Sequence, residues 1–231
     1  MKAVALLPAA IVLVFATACA TTERVAVKEN PTVCAFLGDN CDQMTKGGEG
    51  QLGLRWVNPN PRVSFTQYNK VIIDVVGFFG SDVSKVPPKD QEALTALFKK
   101  SLTDAMATRF QVVEEPGPGT MRLQVAILDA EAATPGLRTI TMVIPQARLL
   151  STGAYAISGK YPFTGGGEAA AKITDSVTGE ILAIGVDRRV GGGSIETAAQ
   201  WQWGDAENVI KAWSQLAVNR IYAYTSGSAK P

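Results

Sequence analysis

The run Lys70-Val71-Ile72-Ile73-Asp74-Val75-Val76-Gly77-Phe78-Phe79 decides how the rest of this chain is read. It is almost continuously apolar and rich in β-branched residues, which suits a central strand covered on both faces. Asp74 interrupts it. A carboxylate in mid-strand either reaches the sheet surface or lies buried beside a partner, and the surface is the reading we adopt. Working toward the C-terminus, Pro87-Pro88 opens a predicted helix over residues 89–110. Leu94, Leu97, Phe98, Leu102, Ala105 and Met106 recur at three- and four-residue steps and make one apolar stripe. Asp90 and Glu92 fall in the first turn, where the helix dipole favours acids. A short strand is expected over 111–114, closed by Pro116-Gly117-Pro118-Gly119. Met121, Leu123, Val125 and Ile127 then alternate with Arg122, Gln124 and Ala126, the pattern of a half-buried strand. Together these elements resemble a β-α-β unit.

Beyond that unit, residues 137–157 are apolar but broken by Pro145 and Gly153. They read as a broken helix on the sheet. The alternative is a surface built on Leu137, Ile140, Val143, Ile144 and Leu150 and offered to another subunit or the bilayer interface. The best hairpin follows the triple glycine at 165–167. Ala169, Ala171 and Ile173 point one way, Asp175-Ser176-Val177-Thr178-Gly179 makes the turn with Gly179 suited to positive φ, and residues 181–186 return. Arg188, Arg189 and the glycines at 191–193 are expected to end that strand. A last helix follows Gly204, with Asp205 as N-cap and Val209, Ile210, Trp213, Leu216, Ala217, Ile221 and Tyr224 as its buried stripe.

On the N-terminal side, residues 1–18 show a basic Lys2, an apolar core and small residues up to Ala18. That is the layout of a secretory signal, too short for a span of ~20 apolar residues. The small residues directly before Cys19 resemble the lipobox of bacterial lipoproteins, with Ala16 where leucine is commonest, and so predict lipidation at Cys19. Plain secretion with cleavage after Ala18 is the alternative. Residues 20–53 are polar, glycine-rich and aperiodic, as a tether would be.

Of the three cysteines, lipidation of Cys19 leaves Cys34 and Cys41 as an even pair around a turn-prone Gly38-Asp39-Asn40. A disulfide there would staple a local coil. With no histidine in the chain and no third thiolate, metal binding by the two is the weaker reading. Lys and Arg number 22 against 21 Asp and Glu, and Lys2 belongs to the leader, so the remainder is balanced. Such a balance carries no electrostatic footprint for nucleic acid.

The segments Arg55-Trp56-Val57-Asn58-Pro59, Val113-Glu114-Glu115-Pro116-Gly117-Pro118-Gly119, Ile173-Thr174-Asp175-Ser176 with Thr178-Gly179-Glu180, and Val186-Asp187-Arg188-Arg189-Val190-Gly191-Gly192 are similar to a bacterial lipoprotein family labelled domain of unknown function 3313. The resemblance covers roughly residues 52–222. It implies an envelope lipoprotein with an α/β domain and no established activity.

The absence of histidine removes Ser-His-Asp and Cys-His catalysis and the usual near-neutral base. Asp187-Arg188-Arg189 is the densest charge group. It reads as an anion clamp made by Arg188, Arg189, Gly191 and Gly192, or as a structural cluster in which one arginine pairs and the other is solvated. Trp201 and Trp203 could stack on a sugar, or pack under the last helix.

The expectation is therefore an α/β (α+β) protein. A mixed β-sheet of about five strands packs with two or three helices in one domain over residues 54–224. It follows a leader (1–18) and a flexible tether (19–53), and precedes a disordered tail (225–231). The expected role is a non-enzymatic, periplasm-facing binding or accessory component, held in the outer membrane by lipid on Cys19. It would contact another envelope protein or itself, with no metal, cofactor or nucleic acid. Two alternatives stand beside it. One is an oligomeric or membrane-contacting accessory subunit of a transport or secretion complex. The other is a small-ligand binder or hydrolase using Arg188, Arg189 and the glycine loops.

Overall fold

The computed structural model describes residues 22–28, 32–79, 86–131, 165–191 and 203–229. In chain order these form β1 (Glu23–Val25), α1 (Val33–Leu37), β2 (Thr45–Lys46), β3 (Leu54–Val57), β4 (Lys70–Ile73), β5 (Gly77–Phe78), α2 (Pro88–Met106), β6 (Gln111–Val112), β7 (Thr120–Glu131), β8 (Gly166–Asp175), β9 (Ile181–Val190) and α3 (Gly204–Thr225). All nine strands join one mixed sheet in the order β2-β3-β9-β8-β7-β4-β6, with β1 added to β9 and β5 to β7. The α+β class and the single domain agree with the sequence; the strand number exceeds the expected five.

The β-α-β unit is present. β4 runs parallel to β7 on one side and to β6 on the other, and α2 makes the crossover. Val71, Ile72 and Ile73 are buried, as a strand covered on both faces requires. The run 70–79 is nevertheless two strands. Ile73 lies opposite Leu123 and Gly77 opposite Ala126, so β7 spans with one residue fewer what 73–77 spans. The extra residue bulges, and Val75 points outward at 88% exposure. Asp74 sits in this break, half-buried, with Arg122 Nη1 of β7 at 2.7 Å from its Oδ1. It is thus a partnered group rather than a freely solvated one.

α2 begins at Pro88, where the ring's missing N–H costs nothing. Its buried positions Leu94, Phe98, Leu102 and Met106 are those of the predicted stripe. Each such burial is worth about 1.5–3 kcal/mol. The helix packs against α3, and Phe98 stacks on Trp213 with ring centroids 5.7 Å apart. Asp205 does not cap α3; the N-cap is Trp203 and Asp205 lies within the helix.

The β8–β9 hairpin turns through Asp175, whose Oδ1 accepts from the Val177 and Thr178 amides, with Gly179 at φ 74°. β9 runs on to Val190, so Asp187, Arg188 and Arg189 lie inside a strand rather than past its end. The register shifts by one residue between Ile173 and Thr174. That bulge sets which residues of the two strands share a face.

The sheet has two covered faces. One, under α2 and α3, carries the larger core with Leu94, Phe98, Leu123, Ile127, Val209 and Ile210. The other is covered by α1, with Val33, Leu37 and Cys41 on Ala126, Leu128, Ala170, Ile184 and Val186. This second core comes from residues expected to be a tether. Between residues 22 and 53 the chain adds β1 to β9, lays α1 on the sheet and pairs β2 with β3. The polar composition hid this because the apolar contribution is confined to a few positions such as Val33 and Leu37. The Cys34–Cys41 disulfide is present, with Cα atoms 5.3 Å apart. It staples a helix, buried only through Val33 and Leu37, rather than a coil. At the other end α3 reaches Thr225, and the Ala229 amide donates to the Ala223 carbonyl, so the start of the expected tail folds back.

Candidate functional site

Alternation along β8 and β9 places Gly167, Ala169, Ala171 and Ile173 beside Arg189, Asp187, Gly185 and Ala183 on the face under α3. These side chains are mostly too small to fill the space between a sheet and a helix ~10 Å away. A cavity of about 120 Å³ remains. Its walls are apolar: Val125, Ala169, Ala171, Ile173 and Ala183 from the sheet, and Trp213, Leu216, Ala217 and Ile221 from α3. Leu52 closes one side so tightly that a Cβ on Gly185 would lie 2.5 Å from its Cδ1.

The mouth is polar. Gln51, Arg55, Arg220 and Tyr224 border it, all half-buried. Arg55 donates to Gln51 Oε1 and to the Tyr224 hydroxyl, both at 3.1 Å. Arg220 donates through Nε to the Gly50 carbonyl and through Nη2 to the Glu49 carbonyl at 3.2 Å. The loop between β2 and β3 is thereby held over the cavity. Arg24 of β1 also holds it, donating to the carbonyls of Gly47, Gly48 and Gln51.

Beside the cavity lies a buried ionic network. Asp187 is 1% exposed and accepts from the Gly53 amide (2.7 Å), Arg189 Nε (2.7 Å) and Trp213 Nε1 (2.9 Å). On the opposite face Glu168 is paired in register with Arg188; Nε and Oε2 are 4.0 Å apart, and the Lys28 amide donates to the same oxygen at 2.8 Å. Burial pushes the Glu168 carboxyl above the usual carboxylate range, against the Lys28 amide and Arg188, which favour the charged form. At the hairpin end, burial alone would raise Asp175, but bonds from Thr178, Tyr68 and Val177 outweigh it and hold the carboxyl low. Burial, the Tyr68–Asp175 hydrogen bond and the Asp175 charge together push the Tyr68 hydroxyl far up.

The structure turns Arg188 and Arg189 onto carboxylates of the protein itself. Their side chains are only 9% and 15% exposed, so neither is solvated and neither offers an open anion clamp. Gly191 is buried against α3: a Cβ there would lie 2.3 Å from Asp205 Oδ1. Asp205 Oδ2 in turn accepts from the Gly165 amide. Gly192 lies outside the described residues, as do Cys19, Trp201 and the surface set Leu137, Ile140, Val143, Ile144 and Leu150. Trp203 packs in the core. Among the described residues no group of three or more His, Cys, Asp or Glu side chains is placed to hold a metal, and no helix is long and apolar enough to cross a membrane.

The cavity itself was missed in sequence. Its signal was the small-residue alternation of Ala169, Ala171, Ala183 and Gly185 opposite a helix carrying a tryptophan. Glu168 was missed because counting back from the turn without the bulge pairs it with Asp187 instead of Arg188.

Fold and site define a mixed-sheet α+β domain with a small apolar chamber under its C-terminal helix. The family model described as a protein of unknown function, DUF3313, matches residues 35–217, and the chain belongs to that family. No curated protein sequence matches it. Among solved structures it is similar to the PelC dodecamer from Paraburkholderia phytofirmans (9% identity, TM-score 0.37, covering 70% of this chain and 96% of that one). It is also similar to the protein XCC0632 from Xanthomonas campestris, of the family DUF330 (13% identity, TM-score 0.41, covering 74% and 92%). A third is a DUF4136 family protein from Bacteroides thetaiotaomicron (11% identity, TM-score 0.30, covering 75% and 95%).

Proposed function

We propose that this chain is a non-enzymatic binding component of the bacterial envelope, lipid-anchored through Cys19 in the outer membrane and facing the periplasm. Its domain takes up a small apolar group in the chamber between β8, β9 and α3. The observation that carries the reading is the cavity of about 120 Å³ with apolar walls and a polar mouth. Ligand sites have this character: apolar lining with a few polar groups fixing orientation. Its volume is comparable to engineered apolar cavities of ~150 Å³, which stay dry and admit benzene. The Cys34–Cys41 disulfide supports an oxidising compartment.

A thermal shift tests the chamber. A solute that binds only the folded state raises the melting temperature with concentration. Benzene should raise that of the wild-type chain and leave Ala217→Leu, whose side chain fills the space, unmoved. An unchanged wild-type melting temperature in saturating benzene would overturn the reading.

A further inference from the structure

We infer that the chamber receives the apolar end of an anionic amphiphile, whose head is held by Arg55 and Arg220. This rests on the chamber reading above and adds the ligand's charge and shape. Two guanidiniums border one apolar space. Among the described residues neither is paired with a carboxylate: Arg55 bonds to a glutamine amide oxygen and a phenol, Arg220 to two backbone carbonyls. Those partners are neutral, so no carboxylate among the described residues pairs with the positive charge at the mouth. Asp187, the carboxylate of the wall, is turned to Gly53, Arg189 and Trp213 and does not neutralise the mouth. A guanidinium beside a dry cavity favours a carboxylate or phosphate oxygen by a charge-assisted bond, stronger than the neutral bonds it now makes.

The chamber's size limits how much of the ligand enters. About 120 Å³ holds a short stretch of chain or one branched end. The rest must stay outside, on the side bordered by Gln51, Arg55, Arg220 and Tyr224. The geometry thus fits an acyl or prenyl amphiphile entering only in part, with a head of anionic oxygens at the two arginines. Carboxylate and phosphate heads share this chemistry.

Photocrosslinking in membranes containing the full chain tests it. Three probes carry the same short alkyl chain with a terminal diazirine and end in a carboxylate, a phosphate monoester or an alcohol. At least one anionic probe should label peptides containing Ala171 or Leu216 about tenfold more than the alcohol does, the gap expected of one charge-assisted hydrogen bond. Whichever anionic probe labels more names the head group. Arg55→Gln with Arg220→Gln should bring that ratio to about one. Arg220→Gln alone, which leaves the Arg55–Tyr224 bond in place, should lower it partway and guards against misfolding of the double variant. Ala217→Leu should abolish labelling by all three. Equal labelling by acid, phosphate and alcohol overturns the anionic head and leaves the chamber standing. Absence of chamber labelling by every probe overturns both.

Discussion

Replacing Asp187 by asparagine barely changes volume or shape, so its cost reports the charge and the hydrogen bonding of one buried carboxylate rather than its packing. The two oxygens accept from three donors: Gly53 N on Oδ1, and Arg189 Nε and Trp213 Nε1 on Oδ2. In the better of its two orientations the amide keeps its oxygen toward Arg189 and Trp213. Its NH2 then faces the Gly53 amide, donor against donor, across a gap that is 2.7 Å in the native protein. One buried N–H left unsatisfied costs about 1–3 kcal/mol. Loss of the charge beside Arg189, whose side chain is 15% exposed, adds part of the ~3–5 kcal/mol seen when a buried pair is broken. The expected destabilisation is about 3 kcal/mol, a large part of the ~5–15 kcal/mol that holds a domain of this kind together. Asp187→Ala, which orphans all three donors, should cost more. Urea unfolding followed by far-UV circular dichroism reads the change as a lower midpoint at unchanged slope. Pairing the substitution with Trp213→Phe, which removes one donor, should give a double variant less destabilised than the two single costs combined. An Asp187→Asn variant within about 0.5 kcal/mol of wild type would refute the account, since surface changes alone reach that size.

Other expectations follow from the same geometry. Gly191→Ala drives a Cβ to 2.3 Å from Asp205 and should cost about 1–3 kcal/mol in the same unfolding assay, as overpacking does. Glu168 has a raised carboxyl in the folded state, so its contribution is most favourable in acid and is lost as pH rises through the folded value. Wild-type minus Glu168→Gln stability should therefore fall from acid toward neutral pH; a flat difference across the titration would count against the assignment. Asp175 runs the other way, because its lowered carboxyl contributes above the unfolded value of ~3.9 and is lost as acid protonates the folded state. Asp175→Asn should accordingly destabilise more at neutral pH than in acid. Breaking the Cys34–Cys41 link with Cys34→Ser should lower stability by about 2.5 kcal/mol on the chain-entropy model, and a non-reducing gel reports the bond directly. Cys19→Ser should release the chain from the membrane fraction; equal retention would reject lipidation.

What the residues foretold and what they hid divide along physical lines. The stripe Leu94, Phe98, Leu102 and Met106, the turn at Gly179 and the parallel pairing around β4 were legible because each is encoded locally, by helical period, by positive φ or by a β-branched run. The bulges after Ile73 and Ile173 leave no such local mark. The one after Ile173 reverses which side chains of β8 and β9 share a face, which is why the cross-strand partner of Arg188 could not be read off. α1 escaped notice because five residues are too few for a period to show, and its burial depends on a sheet built from residues far along the chain. The cavity depended on both: it exists because small residues of two strands meet a helix in one particular register.

The pairing of β1 with β9 has a mechanical consequence. Only four chain steps separate Cys19 from Glu23, a reach of at most about 14 Å. If Cys19 carries the lipid, the domain rides against the bilayer on a short leash. Any pull on that leash arrives at Arg24, which grips the loop over the chamber as well as pairing with Arg189 across the strands. Tension from the membrane would then reach the residue that anchors the loop bordering the chamber.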